Sequence, residues 1–149
     1  MKAMILASLA GIFWGVGEIF TKSVLHTGKI GPVTALAVRS SVALPVLWLT
    51  WWFVSRRELE PAGWTSMDAP TLAKLVIGSG LIAGAGGMIF FYLALHAGDI
   101  SRIKPVAFTL APTTAVLLGW LVLGEAMTAQ KAVGIALVLT GVIVLTGGK

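Results

Sequence analysis

Apolar residues fall into five stretches that approach spanning length, separated by short polar or turn-forming segments. The first runs from about residue 3 to residue 25 and stops at a turn made of His26, Thr27, Gly28 and Lys29. The second begins near Pro32, a good first-turn residue because its missing N–H has no helical partner there in any case. It closes on Trp48, Trp51 and Trp52, followed by Arg56 and Arg57, the mixture expected where a helix end meets lipid headgroups. The third covers about 71–97, with Asp68 and Pro70 as start signals and Gly98 expected to cap its end. Asp99 then opens the fourth, about 103–123, which contains Pro105 and Pro112 and is broken by Gly124. The fifth, about 129–145, ends at Gly147, Gly148 and Lys149. The only long connection spans 55–70 and holds Glu58, Glu60, Pro61, Gly63 and Asp68.

Runs of about 20 residues at 1.5 Å rise match a hydrocarbon core of about 30 Å. A β-barrel would need alternating segments of about ten residues, and none occur. The pattern therefore predicts an all-α integral membrane protein, a single domain of five transmembrane helices over residues 1–149. The two prolines of the fourth stretch predict kinks that free backbone carbonyls, tolerated where a neighbouring helix or a cavity satisfies them. Gly11 with Gly15, and Gly80 with Gly84, have the spacing that lets helix backbones approach closely. The start at Lys2 followed by an apolar run could be a signal peptide with a small-residue site near Ser8 and Ala10. Because the run continues through Phe20, a spanning helix is the better reading.

Composition agrees. The chain is 57% hydrophobic and only 11% charged, with a mean hydropathy of +0.94, whereas soluble domains carry about a quarter charged residues. So short a chain has too little interior to hide that much apolar surface from water. The net charge of +5 could suggest a nucleic-acid partner. The basic residues are instead scattered singly between apolar runs, so no nucleic acid is expected and membrane lipid is. There is no cysteine, which excludes disulfides, thiolate catalysis and cysteine-held metals. Phosphate loops, zinc-binding motifs and nucleophile elbows are also missing. Neither an enzyme nor a cofactor nor a metal is expected.

Ionisable residues inside the apolar stretches are costly in lipid and face a cavity or a partner. Glu18 lies deep in the first stretch, with Trp14 one turn before it and Lys22 one turn after it; Arg39 lies inside the second. Glu18 precedes Leu25 by as many residues as Arg39 follows Pro32, which puts both roughly 10 Å below the same membrane face. Tyr92, His96, Asp99, Arg102 and Lys104 are expected towards that face as well. These positions predict one polar pocket, with Trp14, Tyr92 and Trp120 as candidate aromatic walls. The candidates for binding substrate or a proton are Glu18, Trp14, Lys22, Arg39, Tyr92, His96, Lys104 and Trp120. Three readings of Glu18 stay open. It could pair with Arg39 only to fix helix packing. It could change charge during a transport cycle, since burial favours a neutral carboxyl and a nearby cation a charged one. Or it could bind substrate without proton coupling. Counting Lys22, Arg39 and Lys104 against Glu18 favours an anionic or zwitterionic ligand. Glu125, after Gly124, reads as a capping or turn residue.

The run Phe91-Tyr92-Leu93-Ala94-Leu95, then Gly98-Asp99-Ile100-Ser101, Pro105, Pro112, Gly124-Glu125, Gln130 and Gly134, resembles the EamA-type repeat of the drug/metabolite transporter superfamily. Phe13-Trp14-Gly15 and Arg39 fit the same pattern. Most members of that family carry two such five-helix repeats in opposite orientation; this chain resembles one, like the small bacterial and archaeal members. The resemblance implies a gradient-driven secondary transporter that exports or exchanges small organic metabolites across the inner (plasma) membrane. The alternatives are a non-transporting membrane subunit and a lipid-headgroup flippase component.

Charge placement bears on assembly. With the N-terminus cytoplasmic, Lys2, Arg56, Arg57, Lys74 and Lys131 fall inside, and Lys22, Lys29, Arg102, Lys104 and Lys149 fall outside. Orientation follows an excess of Lys and Arg inside, and here there is none. A balanced chain with an odd helix number can insert both ways. Two copies then pair antiparallel and rebuild an inverted repeat, so a homodimer is expected. Under the bland reading, helix packing or a partner fixes one orientation.

Overall fold

A computed structural model describes residues 2–60 and 67–147. Pro61, Gly63, Gly148 and Lys149 lie outside the described residues. The chain forms five helices long and apolar enough to cross a membrane: α1 (Lys2–His26), α2 (Pro32–Arg56), α3 (Ala69–Ala97), α4 (Ile100–Leu123) and α5 (Ala129–Gly147). No strand occurs among the described residues. Large apolar side chains such as Phe13, Phe90 and Leu123 point outward, as they must when lipid rather than a protein core is their solvent.

The helices fall into two compact units. The first ends at His96 and the second begins at Ala97. In the first, α1 packs on α2, and its buried side chains are Glu18, Leu25, Tyr92 and Leu95. In the second, α4 packs on α5, and Thr109 and Gly119 are buried.

The ends of the helices follow their local chemistry. Gly28 takes φ 66° after α1, and Pro32 opens α2. At the far end of α2 the amide of Leu59 reaches the carbonyl of Val54, and that of Glu58 reaches Ser55, each at 3.2 Å. This is a Schellman closure in which Glu58, at φ 52°, fills the left-handed position that glycine usually takes. The guanidinium of Arg56 lies 4.9 Å from the Trp52 ring and that of Arg57 lies 4.3 Å from the Phe53 ring. Trp48 meets Trp51 edge-on at 5.4 Å, so the aromatic and basic belt forms where the sequence places it.

Asp68 caps α3 by accepting the Thr71 amide at 3.1 Å. Hydrogen bonding from Thr71, through its side chain and its amide, holds the Asp68 carboxyl below its ordinary value. A lowered value means that the cap's stabilisation is complete above the ordinary carboxylate range and is lost as pH falls through the lowered one. Asp68→Ala is therefore expected to reduce hydrogen-exchange protection of the Thr71 amide at neutral pH. The difference from wild type should vanish on acidification.

Gly98 and Asp99 stand where the sequence places them, just past the end of α3 and at the N-cap of α4, but without the left-handed turn or the side-chain cap such residues usually supply. Gly98 does not close α3 in a left-handed conformation, because Gly28 and Gly124 are the only described glycines with positive φ. Asp99 opens α4, but no side-chain hydrogen bond caps that helix. Gly11 and Gly15 face open space, and Gly80 and Gly84 meet only carbonyls of their own helix. Neither spaced pair marks a helix contact among the described residues of the first unit.

The middle of α3 departs most from the sequence reading. Lys74–Gly87 winds as a π-helix, with α-helical turns on either side. Turns wider than α rise less per residue, which shortens a helix whose 29 residues would otherwise overshoot the hydrocarbon. The segment KLVIGSGLIAGAGG is rich in glycine, and a Cβ on Gly84 would lie 3.2 Å from the carbonyl oxygen of Ser79, five residues back. Glycine leaves room for that wider register.

Candidate functional site

The centre of the first unit is a partly open pocket of about 390 Å³, lined from α1, α2 and α3, within the range of small-molecule sites. From α1 come Phe13, Trp14, Gly17, Glu18, Phe20, Thr21 and Val24, the recurrence of one helical face. α2 contributes Val38 and Arg39, and α3 contributes Tyr92.

Arg39 joins the three helices. Its Nη1 donates to Glu18 Oε1 at 3.3 Å and to the Tyr92 hydroxyl at 2.9 Å, and its guanidinium carbon lies 5.7 Å from the Tyr92 ring centroid. The equal depths read from the sequence thus become direct contact. Tyr92, almost fully buried, also lies 3.4 Å from the Thr21 hydroxyl, which donates to the Gly17 carbonyl at 3.3 Å. Glu18 is only 3% exposed. Its Oε1 is bonded to Arg39, while its Oε2 is buried with no hydrogen-bond partner among the described residues. Buried acceptors are almost always paired, so this oxygen is the anomaly of the site.

Lys22 and His96, in the same unit, turn away from the pocket. Lys22 Nζ donates to the Leu95 carbonyl at 2.8 Å, placing a cation on the C-terminal turn of α3, where free carbonyls and the helix dipole favour one. His96 is exposed at the end of α3 and does not line the pocket. Lys104 and Trp120 belong to the second unit, where the Lys104 ammonium sits 5.1 Å from the Phe108 ring and Trp120 is half exposed. Of the charges counted from the sequence, Glu18 and Arg39 line the pocket, one of each sign. Thr21 was missed, although it stands one turn beyond Glu18 on the same face. That spacing was the available signal.

Glu125 follows the left-handed Gly124, and the amides of both point to the Gly119 carbonyl. Its carboxylate folds back over Gly119 and lies 3.7 Å from Lys131 Nζ. Turn chemistry accounts for it.

Residues 1–147 match the EamA-like transporter family. An uncharacterized protein of Methanocaldococcus jannaschii is 25% identical over 144 residues, which cover 97% of this chain and 96% of that one. No solved structure matches the chain significantly. With five apolar spans and a family match over nearly its whole length, this multi-pass membrane protein belongs to the EamA-like transporter family.

Proposed function

We propose that the protein is a gradient-driven secondary transporter, exporting or exchanging small organic metabolites across the plasma membrane, in which substrate and proton compete for Glu18. The observation that carries this reading is the buried, unpartnered Oε2 of Glu18, a residue that lines a pocket of ligand size. A carboxylate kept only for packing would have both oxygens satisfied, since a buried unpaired acceptor costs about 1–3 kcal/mol. An oxygen that alternately holds a proton and a substrate donor has its charge removed or paired in each loaded state. Competition for one site couples two fluxes when only the loaded site changes the side it faces.

The reading is tested by proton release from the purified, reconstituted protein on addition of amino acids, organic acids and cationic dyes. Wild type is expected to release protons with its substrate. Glu18→Gln keeps the shape and removes the titrating group, so it is expected to abolish release while remaining helical. Release that persists in Glu18→Gln would refute a role for Glu18.

The working unit proposed is an antiparallel homodimer, supported by the even division of Lys and Arg between the two faces. Because the chain has no cysteine, Thr27→Cys supplies a unique label at an exposed, uncharged position between α1 and α2 and leaves the Lys and Arg count unchanged. The expected result in intact cells is that an impermeant thiol reagent modifies about half of the molecules, as balanced insertion requires. Labelling of all or none of them would mean a single orientation and remove the antiparallel dimer.

A further inference from the structure

The last turn of α2 carries two arginines that the helix itself does not use. α2 has 25 residues, and at 1.5 Å rise it outreaches a hydrocarbon core of about 30 Å, which places that turn among lipid headgroups. Arginine near a helix end ordinarily serves the open carbonyls there. Here the amides of Arg57, Glu58 and Leu59 already reach the carbonyls of Val54 and Ser55. Glu58 and Glu60 follow in the chain, yet neither is in an ion pair with Arg56 or Arg57 among the described residues. Each guanidinium lies instead on the ring four residues back, Arg56 on Trp52 and Arg57 on Phe53. All four side chains are exposed. Stacking occupies the face of a guanidinium and leaves its edge, a rigid fork of N–H donors, clear of the ring.

We propose that this end of α2 is a docking surface for anionic phospholipid, in which Arg56 and Arg57 each hold a headgroup phosphate. A phosphodiester accepts two parallel N–H bonds from one guanidinium, and the ring beneath each guanidinium fixes the direction of its fork before the lipid arrives. Consecutive positions stand about 100° apart around a helix, so the two forks serve neighbouring lipids. The occupant is a lipid and not a free phosphate because apolar surface continues along the helix beside the arginines. Trp48, Leu49 and Trp51 are exposed there, and Trp48 meets Trp51 edge-on, which gives an acyl chain a firm wall next to the headgroup site. The lipid is anionic because a choline or ethanolamine headgroup would bring a further cation up to guanidiniums that no carboxylate offsets. The bland reading is that basic residues on this face attract a negative surface only at a distance, in which case any pair of them would serve. None of this depends on what the protein transports.

The test counts lipid that stays with the protein. The full chain is equilibrated in mixed micelles with equal amounts of phosphatidylglycerol and phosphatidylcholine of the same acyl chains, washed in detergent, and its retained lipid is measured by mass spectrometry. Wild type is expected to keep phosphatidylglycerol over phosphatidylcholine by roughly fivefold or more, the advantage of an arginine at an anionic headgroup. Arg56→Gln with Arg57→Gln should bring that ratio close to one. Lys2→Gln with Lys74→Gln removes as much charge from the same membrane face and should leave the ratio within about twofold of wild type, since these lysines have no part in the stacked forks. Arg56→Lys with Arg57→Lys keeps the charge but gives up the planar fork, and should lose at least half of the preference. An equal loss in the Lys2 and Lys74 variant, or full retention in the arginine-to-lysine variant, would overturn the site in favour of diffuse attraction. Displacement of the retained phosphatidylglycerol by millimolar inorganic phosphate would overturn lipid as the occupant. Equal retention of the two lipids by wild type would overturn the proposal outright, and that outcome needs no variant to fold.

Discussion

Arg39→Leu is expected to lower the unfolding free energy by about 2–3 kcal/mol, and Glu18→Leu in the same chain is expected to recover most of that loss. Removing one partner of a buried ion pair strands the other charge, which typically costs about 3–5 kcal/mol. The lower figure applies here because the Arg39 side chain is 39% exposed, while that of Glu18 is 3% exposed, so the pair is only partly enclosed by protein. Replacing both by leucine removes the stranded carboxylate together with its partner, and lipid tolerates leucine wherever it points. Unfolding in mixed micelles, followed by circular dichroism across the double-mutant cycle, measures the coupling. The double variant also separates the proposed function from its rival. A subunit that only shapes an assembly would keep its role once helix packing is restored, whereas a transporter would be folded and inactive in proton release. A stable, active double variant would return Glu18 and Arg39 to a purely structural role.

The same two residues show how far the sequence could be read. Their equal depths followed from helical rise alone, because α1 and α2 are regular and joined by a short turn at Gly28. An apolar run in lipid leaves few alternatives to helix, so all five spans were legible, with ends displaced by a few residues at Ala69, Ile100 and Gly147. The destination of Lys22 was not legible, since it depends on which carbonyls α3 leaves free at its end. Nor was the orphaned Oε2, because counting charges cannot show which lone pairs the neighbours reach. The glycine pair 80 and 84 misled for a specific reason. Spacing of that kind suits close approach by another helix, but it also suits a wide turn of the helix itself, and here it serves the second.

That wide turn sets the register of the site. Tyr92 lies five residues beyond Gly87, the last of the π segment, so the winding of Lys74–Gly87 decides which way the Tyr92 hydroxyl faces. In Gly84→Ala the new Cβ would stand 3.2 Å from the Ser79 carbonyl oxygen, a contact that a backbone atom cannot relieve by a rotamer change. Overpacking of this kind costs about 1–3 kcal/mol if the wide turn is kept. Tightening to the α register is the escape, and alanine favours it, being about 1 kcal/mol better than glycine in an α-helix. The expected result is a folded protein in which the lower half of α3 has rotated and Tyr92 no longer meets Arg39. Tyr92 is the only tyrosine in the chain, so fluorotyrosine incorporation gives one fluorine resonance that reports this contact alone. Gly84→Ala is expected to move that resonance towards its position in Arg39→Leu, and to impair proton release, without loss of helical signal. An unmoved resonance with normal release would show that the π segment absorbs the methyl group locally and that the register of Tyr92 does not depend on it.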